Sequence, residues 1–206
     1  IMSIAFAILL NEVKNRALKK SVQTVVYLPH FLSWVVLALV VKNLFSVDGS
    51  INAMLGTSLN WLGSNSLFQP LLILTDTWKE FGYGSIVYLA AITSIDSTLY
   101  EAASIDGATW WKKVWHVTLP GIRTTIVLMA VMNLGNILNA GFDQVYNLYS
   151  ASVYATGDIL DTYVYRVGLQ GLQYSFGTAV GLLKSVIAFV LMILSLIHIS
   201  EPTRRS

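Results

Sequence analysis

Four stretches of about twenty mostly apolar residues, at 22–45, 70–92, 121–140 and from 177 onward, constrain this chain more than any other feature. A fifth, Ile1–Leu10, has the character of the tail end of another such stretch. A water-soluble core has no room for that many long apolar segments, whereas a bilayer accepts each as a spanning helix. Charge supports this: only 12% of the 206 residues are Asp, Glu, Lys or Arg, about half the usual share of a soluble domain. The expectation is an all-α, multi-pass helical bundle forming one membrane domain.

The loops assign sides. The stretch Asn11–Ser21 carries Lys14, Arg16, Lys19 and Lys20, and the stretch 94–120 carries Lys112 and Lys113, with Arg123 just beyond. Two spans separate these basic loops, so both fall on one side, and the positive-inside rule makes that side cytoplasmic. The loops at 46–69 and 141–176 then face outward; they hold Asp48, Asp143, Asp158 and Asp161 against a single Arg166. Pro29 predicts a kink in, or the start of, the segment at 22–45, and Asp158 is placed to open a short amphipathic helix.

Several functions are excluded by what is missing. There is no cysteine, hence no thiolate metal site or thiol nucleophile. His30, His116 and His198 stand apart from any ligand spacing, no nucleophile–base pair is evident, and no GxxxxGK[S/T] phosphate loop occurs. No basic run with interleaved aromatics points to nucleic acid. A membrane enzyme is therefore not expected, and neither is a metal or a resident cofactor.

The cytoplasmic loop at 94–120 is longer than a connection needs. Thr98-Leu-Tyr-Glu101 fits a capping box that starts a helix, with Leu99, Ala102, Ala103 and Ile105 as its apolar face. Asp106-Gly107 predicts a turn. A second short helix is expected from about Ala108 to His116, with Leu119-Pro120 stopping it and opening the next span. Two short helices at an angle make a cytoplasmic knob. Its small residues permit close approach, and Trp110, Trp111 and Trp115 are potential anchors in a partner's pocket.

Glu101-Ala-Ala-Ser-Ile-Asp-Gly107, then nine residues, then Val117-Thr-Leu-Pro120 resembles the EAA-x3-G-x9-[I/V]-x-L-P signature of type I ABC importer permeases at every spacing. The order of spans around it is similar too. This resemblance implies about five spans of a six-helix core, a cytoplasmic two-helix coupling element, and docking to a separate ATPase. The docking set it implies is Glu101, Ala102, Ala103, Asp106, Gly107, Ala108, Trp111, Val114, Trp115, Leu119 and Pro120. Val114 departs from the pattern, since many members place a large aromatic there; Trp111 or Trp115 is positioned to replace that contact. For Glu101 capping is an alternative role, and for Asp106 a simple turn. The resemblance also implies a multi-pass plasma-membrane location, nucleotide-binding ATPase subunits that handle ATP and Mg, a different second permease subunit, and an external sugar-binding lipoprotein.

Asp76, Lys79 and Glu80 lie at i, i+3 and i+4 and share a helical face, with Trp78 beside them. Asn133, Asn136 and Asn139 are spaced three apart in a segment running the opposite way. Ionisable groups in a membrane interior are tolerated when paired or facing a wet cavity. The two stripes therefore suggest a substrate path, against the alternative of an Asp76–Lys79 pair and interhelical amide bonds that only hold the bundle. Trp34 and Tyr88 are better explained as interface anchors than as sugar-stacking platforms. Tyr27-Leu-Pro-His-Phe-Leu-Ser-Trp34, Asp76-Thr-Trp-Lys-Glu80 and Asp161-Thr-Tyr-Val-Tyr-Arg166 are similar to carbohydrate importer permeases of the oligo- and polysaccharide group. The expected function is carbohydrate import by alternating access. The alternative is an ion-coupled secondary transporter using Asp76 and Glu80.

Residues 1–193 are expected to form a permease domain truncated at its N-terminus, since the chain starts inside an apolar run without an initiator Met. The run from Leu194 resembles an in-frame sequencing adapter, so 194–206 is expected to be a non-native tail; a genuine helix end followed by a polar tail is the alternative.

Overall fold

In a computed structural model of the chain, residues 1–136 and 138–200 are described, with side chains through 194. Every regular element among them is helical. Of the tail expected from 194 onward, residues 201–206 lie outside the described residues. The chain divides into two compact units: residues 1–31 with 77–130, and residues 32–76 with 131 onward.

The first unit begins with α1 (Met2–Glu12) and α2 (Arg16–Phe31). Asn15 opens α2, its side-chain oxygen accepting from the amides of Ala17 and Leu18 at 2.9 and 3.2 Å, the usual service of an Asn at a helix start. The helix thus starts inside the basic stretch that the sequence suggested was a loop. Pro29 sits within α2 and is buried there, and the chain instead breaks at Leu32-Ser33. The second half of α5 (Asn65–Thr93) packs on α2, closely enough that a Cβ at Gly82 would run into the Val26 carbonyl. Small residues at such crossings let membrane helices approach. Ala7, Ile8, Leu10, Leu89, Ile92, Val114 and Ile122 form the core of this unit, with Tyr88 packed against it.

The second unit begins with α3 (Trp34–Phe45), capped by Ser33, and α4 (Ser50–Leu55). The loop around α4 is organised by Asn52, which is fully buried. Its amide nitrogen donates to the carbonyls of Ser46, Val47 and Leu59 at 2.8–3.0 Å. Its oxygen accepts from Thr57 Oγ1, the Leu59 amide and Trp61 Nε1 at 3.0–3.2 Å. Ala38, Val41, Phe68, Leu71, Leu148 and Val153 form the core here. The Gly157 backbone packs so close to Phe68 that a Cβ would meet its ring.

Two helical stretches are long and apolar enough to cross a membrane, Trp34–Leu55 and Tyr174–Leu194; a third is counted if Trp110–Gly121 and Arg123–Leu134, bent by 61°, form one broken span. About five were expected. The 29-residue α5 fails that test because every 18-residue window in it contains Asp76, Lys79 and Glu80. The segment expected at 121–140 breaks after Gly121 and is helical again over Arg123–Leu134. The helix expected to open at Asp158 starts at Leu160.

Candidate functional site

The loop carrying the E-A-A-x3-G pattern folds as two linked helices of the first unit. Helix α6 (Ser97–Ile105) is capped by Asp96, which accepts from the Thr98 amide at 2.9 Å. This corrects the expected cap at Thr98: a carboxylate two residues earlier takes the exposed amide, and Thr98 lies inside the first turn. The same bond, with help from the Thr98 hydroxyl, holds the Asp96 carboxyl below its ordinary range. Glu101 is exposed and is not the capping residue.

At the other end, Gly107 adopts φ +71°. Its amide donates to the Ser104 carbonyl at 3.1 Å and the Ala108 amide to the Ala103 carbonyl at 2.9 Å. This is a Schellman closure, which calls for a left-handed residue where the glycine stands. Nothing lies within 4 Å of where a Gly107 Cβ would be. Helix α6 buries no residue at all, and Ile105 is almost fully exposed. The apolar face read from Leu99, Ala102, Ala103 and Ile105 is therefore bare rather than packed.

The second helix starts with α7 (Trp110–Lys113), passes through a π turn at Val114–Thr118, and continues as α8 (Leu119–Gly121). Leu119-Pro120 does not stop it. Pro120 has no N–H to give the His116 carbonyl, and the turn widens so that the Leu119 amide reaches the Val114 carbonyl. The bend instead falls at Ile122, which is fully buried. Helix α9 (Arg123–Leu134) follows. Val114 faces the core and is 6% exposed, while Trp111 and Trp115 are 64% and 63% exposed. With Leu119 and residues of α1, these three line an apolar groove of about 410 Å³. Of the remaining docking candidates, Ala102, Asp106 and Pro120 are exposed and Ala103 and Ala108 half-buried. Two contacts tie the helices together: Tyr100 Oη lies 2.9 Å from Thr118 Oγ1, and Lys113 Nζ donates to Ser104 Oγ at 2.7 Å.

The polar residues of α5 divide between two places. In the first unit, Lys79 is 6% exposed and donates to the carbonyls of His30 and Pro29 at 2.7 and 3.3 Å. It thereby satisfies carbonyls at the end of α2, where a cation also meets the negative end of the helix dipole. Glu80 lies 3.5 Å from Lys79 and 2.8 Å from His30 Nδ1. The His30 ring stacks on Tyr83 at 3.8 Å. Sequence reasoning missed His30 and Tyr83; the one available signal was that Glu80 and Tyr83 share a helical face with Lys79.

In the second unit, Asp76 and Asn139 line one pocket of about 420 Å³. Gln144, of α10 (Phe142–Leu148), also lines it. Asn133 and Asn136 are exposed without lining that pocket, and Trp78, which belongs to the first unit, is exposed. The three asparagines do not form one helical stripe: Asn133 is in α9, while Asn136 and Asn139 follow in turns, with Asn139 Nδ2 donating to Asn136 Oδ1 at 3.3 Å. Gln144 and Thr156 gave no signal of a site in the sequence.

Two ion pairs hold the segment before the last helix. Arg166 pairs with Asp158 at 2.5 Å, and Lys184 of α13 (Tyr174–Ser200) pairs with Asp161 at 2.6 Å. Gly168 and Gly177 lie in contact where α13 begins. Among the described residues no group of three or more His, Cys, Asp or Glu could hold a metal.

Residues 3–202 match the family described as "Binding-protein-dependent transport system inner membrane component". Protein LplB of Bacillus subtilis (strain 168) is 41% identical over 191 residues, covering 90% of this chain and 60% of that protein. The polygalacturonan/rhamnogalacturonan transport system permease protein YteP of the same organism is 43% identical over 197 residues, covering 93% and 61%. The chain thus spans about three fifths of the length of these relatives. Among solved structures, a bacterial ABC transporter involved in the import of the acidic polysaccharide alginate superposes with a TM-score of 0.93 at 42% identity, covering 99% of this chain and 73% of that one. Fold, sequence and the matched signature agree, and the chain belongs to the family of binding-protein-dependent transport system inner membrane components.

Proposed function

We propose that this chain acts as a permease subunit of an ATP-driven ABC importer that carries a carbohydrate across the plasma membrane by alternating access. The observation that carries the reading is the bare, Schellman-closed loop at 97–121 in a chain of this family: a structured knob with no buried residue on its first helix needs another surface. That surface is a nucleotide-binding ATPase subunit, which handles ATP and Mg; this chain supplies neither. Glu101, Ala102, Ala103, Asp106, Gly107 and Ala108 form the docking turn, and Trp111, Trp115, Leu119 and Pro120 flank it. Val114, turned inward, braces it from behind.

A second permease subunit and an external sugar-binding lipoprotein complete the assembly. Support for the latter is a solved alginate ABC transporter in complex with an alginate pentasaccharide-bound periplasmic protein, at 41% identity. Asp76 and Asn139, which share a pocket of the second unit, are the leading candidates for the path; Asn133 and Asn136, and Trp78 and Glu80 of the first unit, are candidates from the sequence pattern alone, and Lys79 holds the end of α2. Ion-coupled carriage by Asp76 and Glu80 has no support among the relatives, and Glu80 is engaged by His30 and Lys79.

Gly107→Pro tests the docking turn, because a proline φ near −65° is incompatible with +71°. The expected result is normal membrane insertion with loss of ATPase co-purification and of ATP-dependent saccharide uptake. Normal recovery of the complex would overturn the docking role.

A further inference from the structure

We infer that the start of α2 is a binding site for anionic phospholipid head groups, held by Lys14, Arg16, Lys19 and Lys20. The inference rests on the membrane-embedded class of the chain and not on what it carries.

Four cations stand within seven residues here. Lys14, Arg16 and Lys20 are exposed and Lys19 is half-buried. Among the described residues none of the four has an ion pair, and Glu12, the carboxylate nearest in the sequence, is exposed and pairs with none of them. By contrast Lys79, Arg166 and Lys184 each face a carboxylate. Position makes the crowding unfavourable. Arg16, Lys19 and Lys20 open α2, and its first turn holds no acidic residue. A helix start carries the positive end of the dipole, which disfavours cations there. Arg16 and Lys20, four apart, also repel across one turn. An anion from outside relieves a repulsive cluster that the fold leaves unneutralised. The amides of the helix start do not make the site, because Asn15 Oδ1 takes those of Ala17 and Leu18.

The rest of the helix indicates which anion. Leu18, Val25 and Leu28, at i, i+7 and i+10, share a face and are 54%, 69% and 57% exposed. Pro29 is the one buried residue of α2. A bilayer covers such a stripe, and its polar surface then meets the helix at the end where the cations stand. Lys and Arg stems extend along apolar surface and leave their charge at head-group level. Four such residues immediately cytoplasmic of an apolar spanning segment suit anionic lipid, and the positive-inside rule puts this stretch on that side. The docking turn proposed for the ATPase lies on α6 instead, whereas these cations continue the apolar stripe of α2.

The chain has no cysteine, so Ser21→Cys, at an exposed position next to the cluster, carries a bimane reporter in the assembled transporter in nanodiscs. Phosphatidylcholine is doped with a minor share of brominated phosphatidylglycerol or, in a parallel sample, of brominated phosphatidylcholine. Quenching by the anionic lipid is expected to exceed quenching by the neutral one several-fold. Arg16→Gln with Lys20→Gln should bring the two close to equality, and Arg16→Lys with Lys20→Arg should keep the difference. Equal quenching in the reporter protein without further substitution overturns the inference, and so does a difference undiminished by the glutamine pair. Inorganic phosphate at matched ionic strength should leave quenching unchanged; displacement of the lipid by it would make this a site for free phosphate and overturn the lipid assignment. Loss of ATPase co-purification in the glutamine pair, with quenching unaltered, would assign the cations to the ATPase and overturn it as well. Absence of ATP-dependent saccharide uptake overturns the permease reading and leaves this inference standing.

Discussion

Tyr100 Oη lies 2.9 Å from Thr118 Oγ1, so one hydrogen bond joins α6 to the π turn across eighteen residues of chain. The bond sits behind the exposed turn at Gly107 and ties it to the helix that leads into α9.

Tyr100→Phe and Thr118→Val should each remove this tie at about 1 kcal/mol. Expression should be normal, and saccharide-stimulated ATPase activity of the assembled transporter should fall several-fold. The double substitution should cost little more than either alone. Additive losses would show that the two groups act separately.

The buried Asn52 makes six hydrogen bonds within its loop. Asn52→Leu leaves three carbonyls, two side-chain donors and an amide without their partner, and should lower stability by about 2–4 kcal/mol. A clear drop in Tm of the detergent-solubilised protein, with earlier proteolysis between residues 46 and 64, is the measurable result. An unchanged Tm would contradict the hub role.

Lys79→Met strips the end of α2 of its cation and leaves Glu80 with His30 alone. Leaving the Pro29 and His30 carbonyls without their charged donor costs about 1–3 kcal/mol, and Lys79→Arg should recover part of that. Thermal unfolding across the three proteins decides it. Normal stability with altered uptake kinetics would instead place Lys79 in the substrate path.

Burial pushes the Asp158 carboxyl up, but the Arg166 guanidinium and the Thr162 hydroxyl outweigh it and hold the group below its ordinary range. A carboxyl depressed in the folded state stabilises fully above its unfolded value and loses that contribution as pH falls. The Tm advantage of the native protein over Asp158→Asn should therefore be constant near neutrality. It should shrink as pH drops through about 4 and below. A gap independent of pH would rule out the ion pair as its source.

The sequence made the helical, membrane-embedded class plain, because long apolar stretches have few other fates. The E-A-A-x3-G pattern and its glycine turn were equally legible, since a Schellman closure is a local event. Boundaries were less so. Asp96 and Thr98 are both good caps two residues apart, and propensity does not choose between them. The Asn133, Asn136 and Asn139 spacing suits a helix, yet α9 ends at Leu134 and hydrogen bonds in turns take over. Partners fifty residues apart, such as His30 and Glu80, or Gln144 and Thr75 across sixty-nine, depend on packing that no window of sequence displays.

The seat of Lys79 on the carbonyls of α2 also bears on biogenesis. A segment that keeps three ionisable residues in every spanning window partitions poorly into lipid by itself. The group that relieves α5 of its buried cation belongs to α2, which is synthesised earlier. The two should leave the insertion machinery as a pair, with α2 acting as an intramolecular chaperone for the more polar helix. Co-translational insertion of α5 is then expected to falter in chains that lack α2, even though α5 itself is unchanged.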